Sequence, residues 1–104
     1  MNIVKKKLFG TVDLKPMLKR EQSVLVEYYI TEKEGDDEGY NRNRPYGIEV
    51  VKKQKIDGVT YREVKRVNDI SNSTEQVNNL LALLHRNSVT PISVSDVLED
   101  LAVK

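Results

Sequence analysis

Residues 46–67 read YGIEVVKKQKIDGVTYREVKRV, with Asp57-Gly58 near the centre. The runs on either side are rich in β-branched residues. A two-residue type I′ turn needs positive φ at both central positions, which Asp tolerates and Gly permits. The stretch therefore predicts a β-hairpin with Ile56 opposite Val59. That register places Ile48–Val67, Val50–Lys65, Lys52–Glu63, Gln54–Tyr61 and Ile56–Val59 on one face. Glu49–Arg66, Val51–Val64, Lys53–Arg62 and Lys55–Thr60 fall on the other. The first set is the more apolar and is expected to face the core; the second is expected to face water. The Lys65 stem can pack on the first face while its ammonium reaches the rim.

Upstream, VLVEYYITEK (24–33) alternates Val24, Val26, Tyr28 and Ile30 with Leu25, Glu27, Tyr29 and Thr31. This is the pattern of a half-buried strand. The intervening EGDDEGYNRNRP (34–45) has no aliphatic residue and is expected to be a mobile acidic-to-basic loop. In residues 2–14 short apolar pieces are broken by Lys5, Lys6, Lys7 and Gly10, which suggests a strand or strand pair at a sheet edge.

Downstream the period changes. Ser73 with Gln76, or Asn72 with Glu75, has the spacing of a capping box. Val77, Leu80, Leu81 and Leu84 then make one helical stripe, and Asn87 is expected to end it in a left-handed conformation. Ser93 with Asp96 predicts a second cap, with Ile92 stapled to Val97 and an apolar stripe of Val94, Val97, Leu98, Leu101 and Ala102. Leu81, Leu84, Val97 and Leu101 are expected to be buried. The fold class is α+β: a single domain over 1–104, with an antiparallel sheet of three or four strands followed by two C-terminal helices packed on one face.

Composition supports a globular chain. Of 104 residues, 38% are hydrophobic and 32% charged. Leu, Ile, Val and Phe make up about 30%, above the ~20% below which chains tend to stay disordered. There is no Cys, which excludes thiolate chemistry and Cys-ligated metal. No apolar run has membrane-spanning length. The start, Met1 to Gly10, is not a secretory signal, so a cytoplasmic protein is expected. The net charge of +1 conceals blocks of +5 (1–20), −6 (21–40), +5 (41–68) and −3 (69–104). Neighbouring blocks of opposite sign can neutralise one another in the fold.

Candidate chemistry is sparse. His85, the sole histidine, is expected to be a boundary residue whose cationic form suits a helix C-terminus. No serine stands in a nucleophile-elbow context. Glu34, Asp36, Asp37 and Glu38 do not make a calcium loop, because Arg42 and Arg44 stand where ligands are needed. The glycines are scattered and form no phosphate cradle. No catalytic, cofactor-binding or metal-ligating residue is assigned, and no cofactor is expected. Lys53, Lys55, Arg62 and Arg66 share the outer side of the hairpin and form the candidate face for an anion or partner. Tyr29 is the sole stacking platform there, and Glu27 and Glu49 intrude on the same side. A helix-turn-helix is excluded by the long 87–92 connection and the acidic second helix.

YGIEVVKK, VLVEYYITEKE and SNSTEQVNNLLALLHRNSVTPISVSDVLEDL together resemble a family of short uncharacterised proteins from clostridia-like Gram-positive bacteria. The resemblance runs from Val24 to Leu101. It is clearest at Asn87-x-Val89-Thr90-Pro91 and at Asp96-Val97-Leu98-Glu99-Asp100. It implies a bacterial cytosolic setting and lends no functional residue. The expectation is a non-enzymatic protein acting through protein–protein contacts. The alternative is a nucleic-acid-binding module using the basic outer face of the 46–67 hairpin. Oligomeric state is open, since a sheet edge or surplus helix surface can pair.

Overall fold

A computed structural model describes the backbone of residues 3–14, 23–34 and 45–102. Strands β1 (Ile3–Leu14), β2 (Ser23–Glu34), β3 (Tyr46–Ile56) and β4 (Val59–Ser71) precede helices α1 (Thr74–Arg86) and α2 (Pro91–Ala102). The strands form one antiparallel sheet in the order β1-β2-β3-β4, so β1 and β4 are its edges. This is the α+β arrangement expected from the sequence. Residues 35–44, which make up most of the expected mobile loop, lie outside the described residues.

The hairpin register is as the Asp-Gly pair predicts, with Ile56 opposite Val59 and each expected cross-strand pair formed through Ile48–Val67. Asp57 and Gly58 have φ of 51° and 82°, both in the left-handed region that a type I′ turn requires. Ile48 and Val50 are buried with Val26 and Tyr28 from β2, Val77, Leu81 and Leu84 from α1, and Val94 from α2. The core thus lies between one sheet face and the two helices.

Two bulges explain what simple alternation misses. In β1 the register shifts between Leu8 and Gly10, leaving Phe9 as an inserted residue. Lys6 and Leu8 pair with the outer-face residues Thr31 and Tyr29, whereas Gly10 and Val12 pair with the core residues Tyr28 and Val26. Without the insertion, Lys6 and Val12 would share a face. The second bulge faces Gly47, where β4 runs from Val67 to Ser71 while β3 runs only from Ile48 to Tyr46. Asp69 there takes φ of 58°, and Lys33 Nζ lies 3.2 Å from its carboxylate. A Cβ on Gly47 would overlap the Val67 carbonyl oxygen and crowd Asn68 Cα and Thr31 Oγ1 at 3.0 Å, so only glycine fits.

Ser73 caps α1, its side chain accepting from Gln76 N at 3.3 Å. The box is extended by Ser71, whose hydroxyl donates to Gln76 Oε1 at 2.6 Å and accepts from Ser73 N at 3.0 Å. The C-terminal expectation is corrected by one residue. Asn87 has φ of −96°, and Ser88 is the left-handed residue at φ 52°. Ser88 N donates to His85 O and Val89 N to Leu84 O, the two bonds of a Schellman motif. The second cap is also corrected. Proline is favoured at the first helical position, and α2 starts at Pro91, two residues before Ser93. Ile92 is 82% exposed and is not a staple, and Leu101 is exposed rather than buried.

Candidate functional site

The nominated residues Lys53, Lys55, Arg62 and Arg66 do share the sheet face opposite the helices, as their register with β3 and β4 requires. Their charges are partly engaged. Arg66 donates to Glu49 Oε1 from Nη2 at 2.6 Å and from Nε at 3.1 Å. Lys53 Nζ lies 3.0 Å from Glu27 Oε1. Lys53 stands directly opposite Arg62, where two like charges oppose each other unless one is paired. Lys55 and Arg62 are exposed.

That face was expected to meet water, and at its centre it does not. Glu49 is 2% exposed and Val51 is 1% exposed. For Glu49 the reason is a cage of neighbours. Lys6, brought onto this face by the β1 bulge, donates to Glu49 Oε2 at 2.9 Å and sits 4.7 Å from the centroid of the Tyr29 ring. Arg66 closes the other side. Burial alone raises the Glu49 pKa; hydrogen bonds from Lys6 and Arg66 and their charges more than offset this, leaving it below the ordinary value. Tyr29, the expected stacking platform, pairs with Glu49 and carries Lys6 over its ring. Val51 is flanked across strands by Glu27 and Val64.

His85 is half-buried in the last turn of α1, the boundary position expected, and it makes contacts that its position in the sequence did not suggest. Its Nε2 bonds the Thr11 carbonyl at 2.9 Å, so that nitrogen carries the proton. The ring meets Tyr28 and Phe9 edge-on, with centroids 5.6 and 6.2 Å away. A Cβ on Gly10 would crowd this ring, lying 3.2 Å from His85 Cδ2. His85 therefore ties α1 to the bulged edge of β1. Tyr28 donates its hydroxyl proton to the Val89 carbonyl at 2.8 Å, and burial pushes its pKa up to about 12. These are structural bonds, and each satisfies a backbone carbonyl.

Among the described residues, no group of three or more His, Cys, Asp or Glu side chains is placed to hold a metal ion. An open groove of about 550 Å³ between β1 and α1 is lined by Lys7, Leu8, Phe9, Ile30, Thr74 and Asn78. A second, of about 330 Å³, lies between β4 and the start of α2. Its walls are Glu63, Val64, Lys65, Pro91, Ile92 and Ser95. Beside it the β4 edge carries exposed Val59, Tyr61 and Val64. Sequence reasoning did not single out this edge. The available signal was Val64 on the side expected to face water, together with Ile92 preceding its helix's apolar stripe.

The fold and these surfaces define a small α+β domain of four antiparallel strands and two helices, with no helix among the described residues long and apolar enough to cross a membrane. The chain belongs to a family of unknown function (DUF6514), whose model matches residues 5–104. No curated protein and no solved structure matches it.

Proposed function

We propose that this is a non-enzymatic protein of the bacterial cytoplasm that acts through contacts with protein chains, using the β4 edge and the adjoining start of α2. The bacterial and cytoplasmic setting is supported by the resemblance carried by residues 24–101. The observation that carries the contact surface is that one unpaired strand edge carries exposed apolar side chains on both of its faces. Val59 and Tyr61 on the helix-side face of β4, Val64 on its outer face and Ile92 on α2 all lie exposed along this edge. An unpaired strand edge with apolar side chains is a ready template for pairing with another chain. The basic face offers less to a nucleic acid. Glu49 takes Arg66, Glu27 takes Lys53, and Lys6 covers Tyr29.

The test is a pull-down from the native host with tagged wild-type protein and an Ile92→Asp variant, each with and without nuclease. Protein recovery that withstands nuclease and is lost in the variant supports the reading. Recovery abolished by nuclease, or lost when Lys53, Lys55, Arg62 and Arg66 become Ser, would install the nucleic-acid alternative instead.

A further inference from the structure

The two sheet edges are built differently. β1 carries Lys5, Lys6 and Lys7 and is interrupted by a bulge, both devices that discourage strand addition. β4 runs from Val59 to Val67 without bulge or proline. In a two-residue hairpin the residues flanking the turn form a hydrogen-bonded pair, and the pattern alternates from there. Starting at Ile56–Val59, residues 59, 61, 63, 65 and 67 turn their backbone groups toward β3. Residues 60, 62, 64 and 66 turn theirs toward the free edge.

Resting on the reading that this edge is a protein-contact surface, we propose that its occupant is a second copy of this chain, added antiparallel with Val64 opposite Val64 of the copy. The charge pattern of the strand selects both partner and register. With Val64 on the two-fold axis, Glu63 faces Lys65 of the copy and Lys65 faces Glu63, while Tyr61 faces Val67. These pairs occupy the close, non-hydrogen-bonded positions where opposite charges attract most. Centring on Arg62, Glu63 or Lys65 instead places each of those charges on its own copy. Shifting by an odd number of residues opposes side chains from different faces.

The apolar groups agree with this centre. Val64, 49% exposed, meets its own copy on the outer face. Ile92 lines the groove formed with Glu63, Val64 and Lys65, so the two copies of this side chain approach over the axis on the helix side. Arg62 stands opposite Arg66 of the copy, a like-charge pair that this register must carry; its repulsion is reduced because Arg66 is held on Glu49, a carboxylate it shares with Lys6. Pairing residues 62, 64 and 66 with 66, 64 and 62 adds about six backbone hydrogen bonds and makes one eight-stranded sheet.

The test uses the purified full chain in sedimentation equilibrium, at concentrations up to roughly 1 mM, because edge pairings of this size are weak. The expected result is a reversible dimer of the 11.9 kDa chain. Glu63→Lys and Lys65→Glu alone should each weaken it about tenfold or more, and the double exchange should restore it, with thermal melts confirming the fold. Because the chain has no cysteine, Val64→Cys should oxidise to a disulfide dimer. Opposed Cα atoms about 5.5 Å apart lie within disulfide reach. Thr60→Cys, which faces Asn68 of the copy, should not cross-link. A wild-type monomer throughout, a dimer indifferent to the single exchanges, or equal cross-linking of both cysteine variants overturns the proposal. A monomer that still captures other proteins through Ile92 would overturn only the second copy; loss of both would remove the contact reading as well.

Discussion

Glu49 accepts both of its bonds from Arg66 on one oxygen, Oε1, while Lys6 takes Oε2 at 2.9 Å. Arg66 belongs to one edge strand and Lys6 to the other. A single buried carboxylate on β3 thus receives a cation from each edge of the sheet. Removing it leaves two basic groups without their shared counter-ion; removing either cation leaves the carboxylate under-paired in a buried site.

The pH dependence follows from the direction of its pKa. The folded value lies below the ordinary 4.5, so the stabilisation is present above that value and is lost as pH falls through the folded pKa. Glu49→Gln should lose about 1–3 kcal/mol at neutral pH. Its deficit against wild type should shrink as pH falls below the ordinary 4.5 and through the lower folded pKa, measured by urea denaturation at each pH. A constant deficit would mean that the carboxylate charge does not contribute.

Tyr28 gives the opposite limb. Its folded pKa, raised to about 12 from 10.0, favours the protonated phenol. The stabilisation is complete below pH 10 and is lost as pH rises through about 12, because burial disfavours the charged phenolate, which also has no proton to donate to Val89 O. Tyr28→Phe should cost about 1 kcal/mol at neutral pH and flatten the alkaline fall in thermal midpoint. An unchanged alkaline limb would show that another group sets it.

Two glycines should respond in different ways to alanine. Gly58 has open space around its missing Cβ and only its φ of 82° to protect it. Gly58→Ala should therefore cost about 1 kcal/mol and leave the hairpin register intact. At Gly47 the obstacle is backbone on a neighbouring strand, which cannot rotate away as a side chain can. Gly47→Ala should cost more than about 2 kcal/mol, and cross-strand amide contacts around Val67 should change.

The helix–sheet core should show the usual burial contrast. Leu84 is fully buried, and Leu84→Ala should destabilise by about 2–5 kcal/mol with an unchanged denaturant slope. Ile92→Ala in dilute protein should stay within about 0.5 kcal/mol of wild type. A large loss at Ile92 in the monomer would mean that the side chain is packed.

How legible the fold was depended on whether the signal was local. Asp57-Gly58 determines a turn, and the turn determines the register of everything between Ile48 and Val67. The Leu81–Leu84 stripe repeats within one helix, so its burial was equally readable. The bulge at Phe9 was not, because an inserted residue exchanges the faces of a strand without a compositional mark. With the bulge unseen, Lys6 could not be placed beside Glu49, and the hairpin's outer side read as water-facing. The Ser73 cap of α1 follows the Ser73–Gln76 spacing, while the end of α1 and the start of α2 differ from expectation by small steps. Ser88 carries the positive φ that Asn more often takes, and Pro91 starts α2 ahead of a plausible Ser93 cap. The candidate basic residues were correctly grouped, since register alone fixes their face. The Glu49 partner of Arg66 follows from the same hairpin register, whereas the Glu27 partner of Lys53 depends on the β2–β3 pairing, which no local turn signal sets.

The most direct measurement is amide exchange along β4 at two protein concentrations. Val64 N–H should exchange quickly in dilute protein and slow as concentration rises, while the Glu63 and Lys65 amides, bonded to β3, should stay protected throughout. A Val64 amide whose exchange does not change with concentration would contradict pairing of that edge with a second copy.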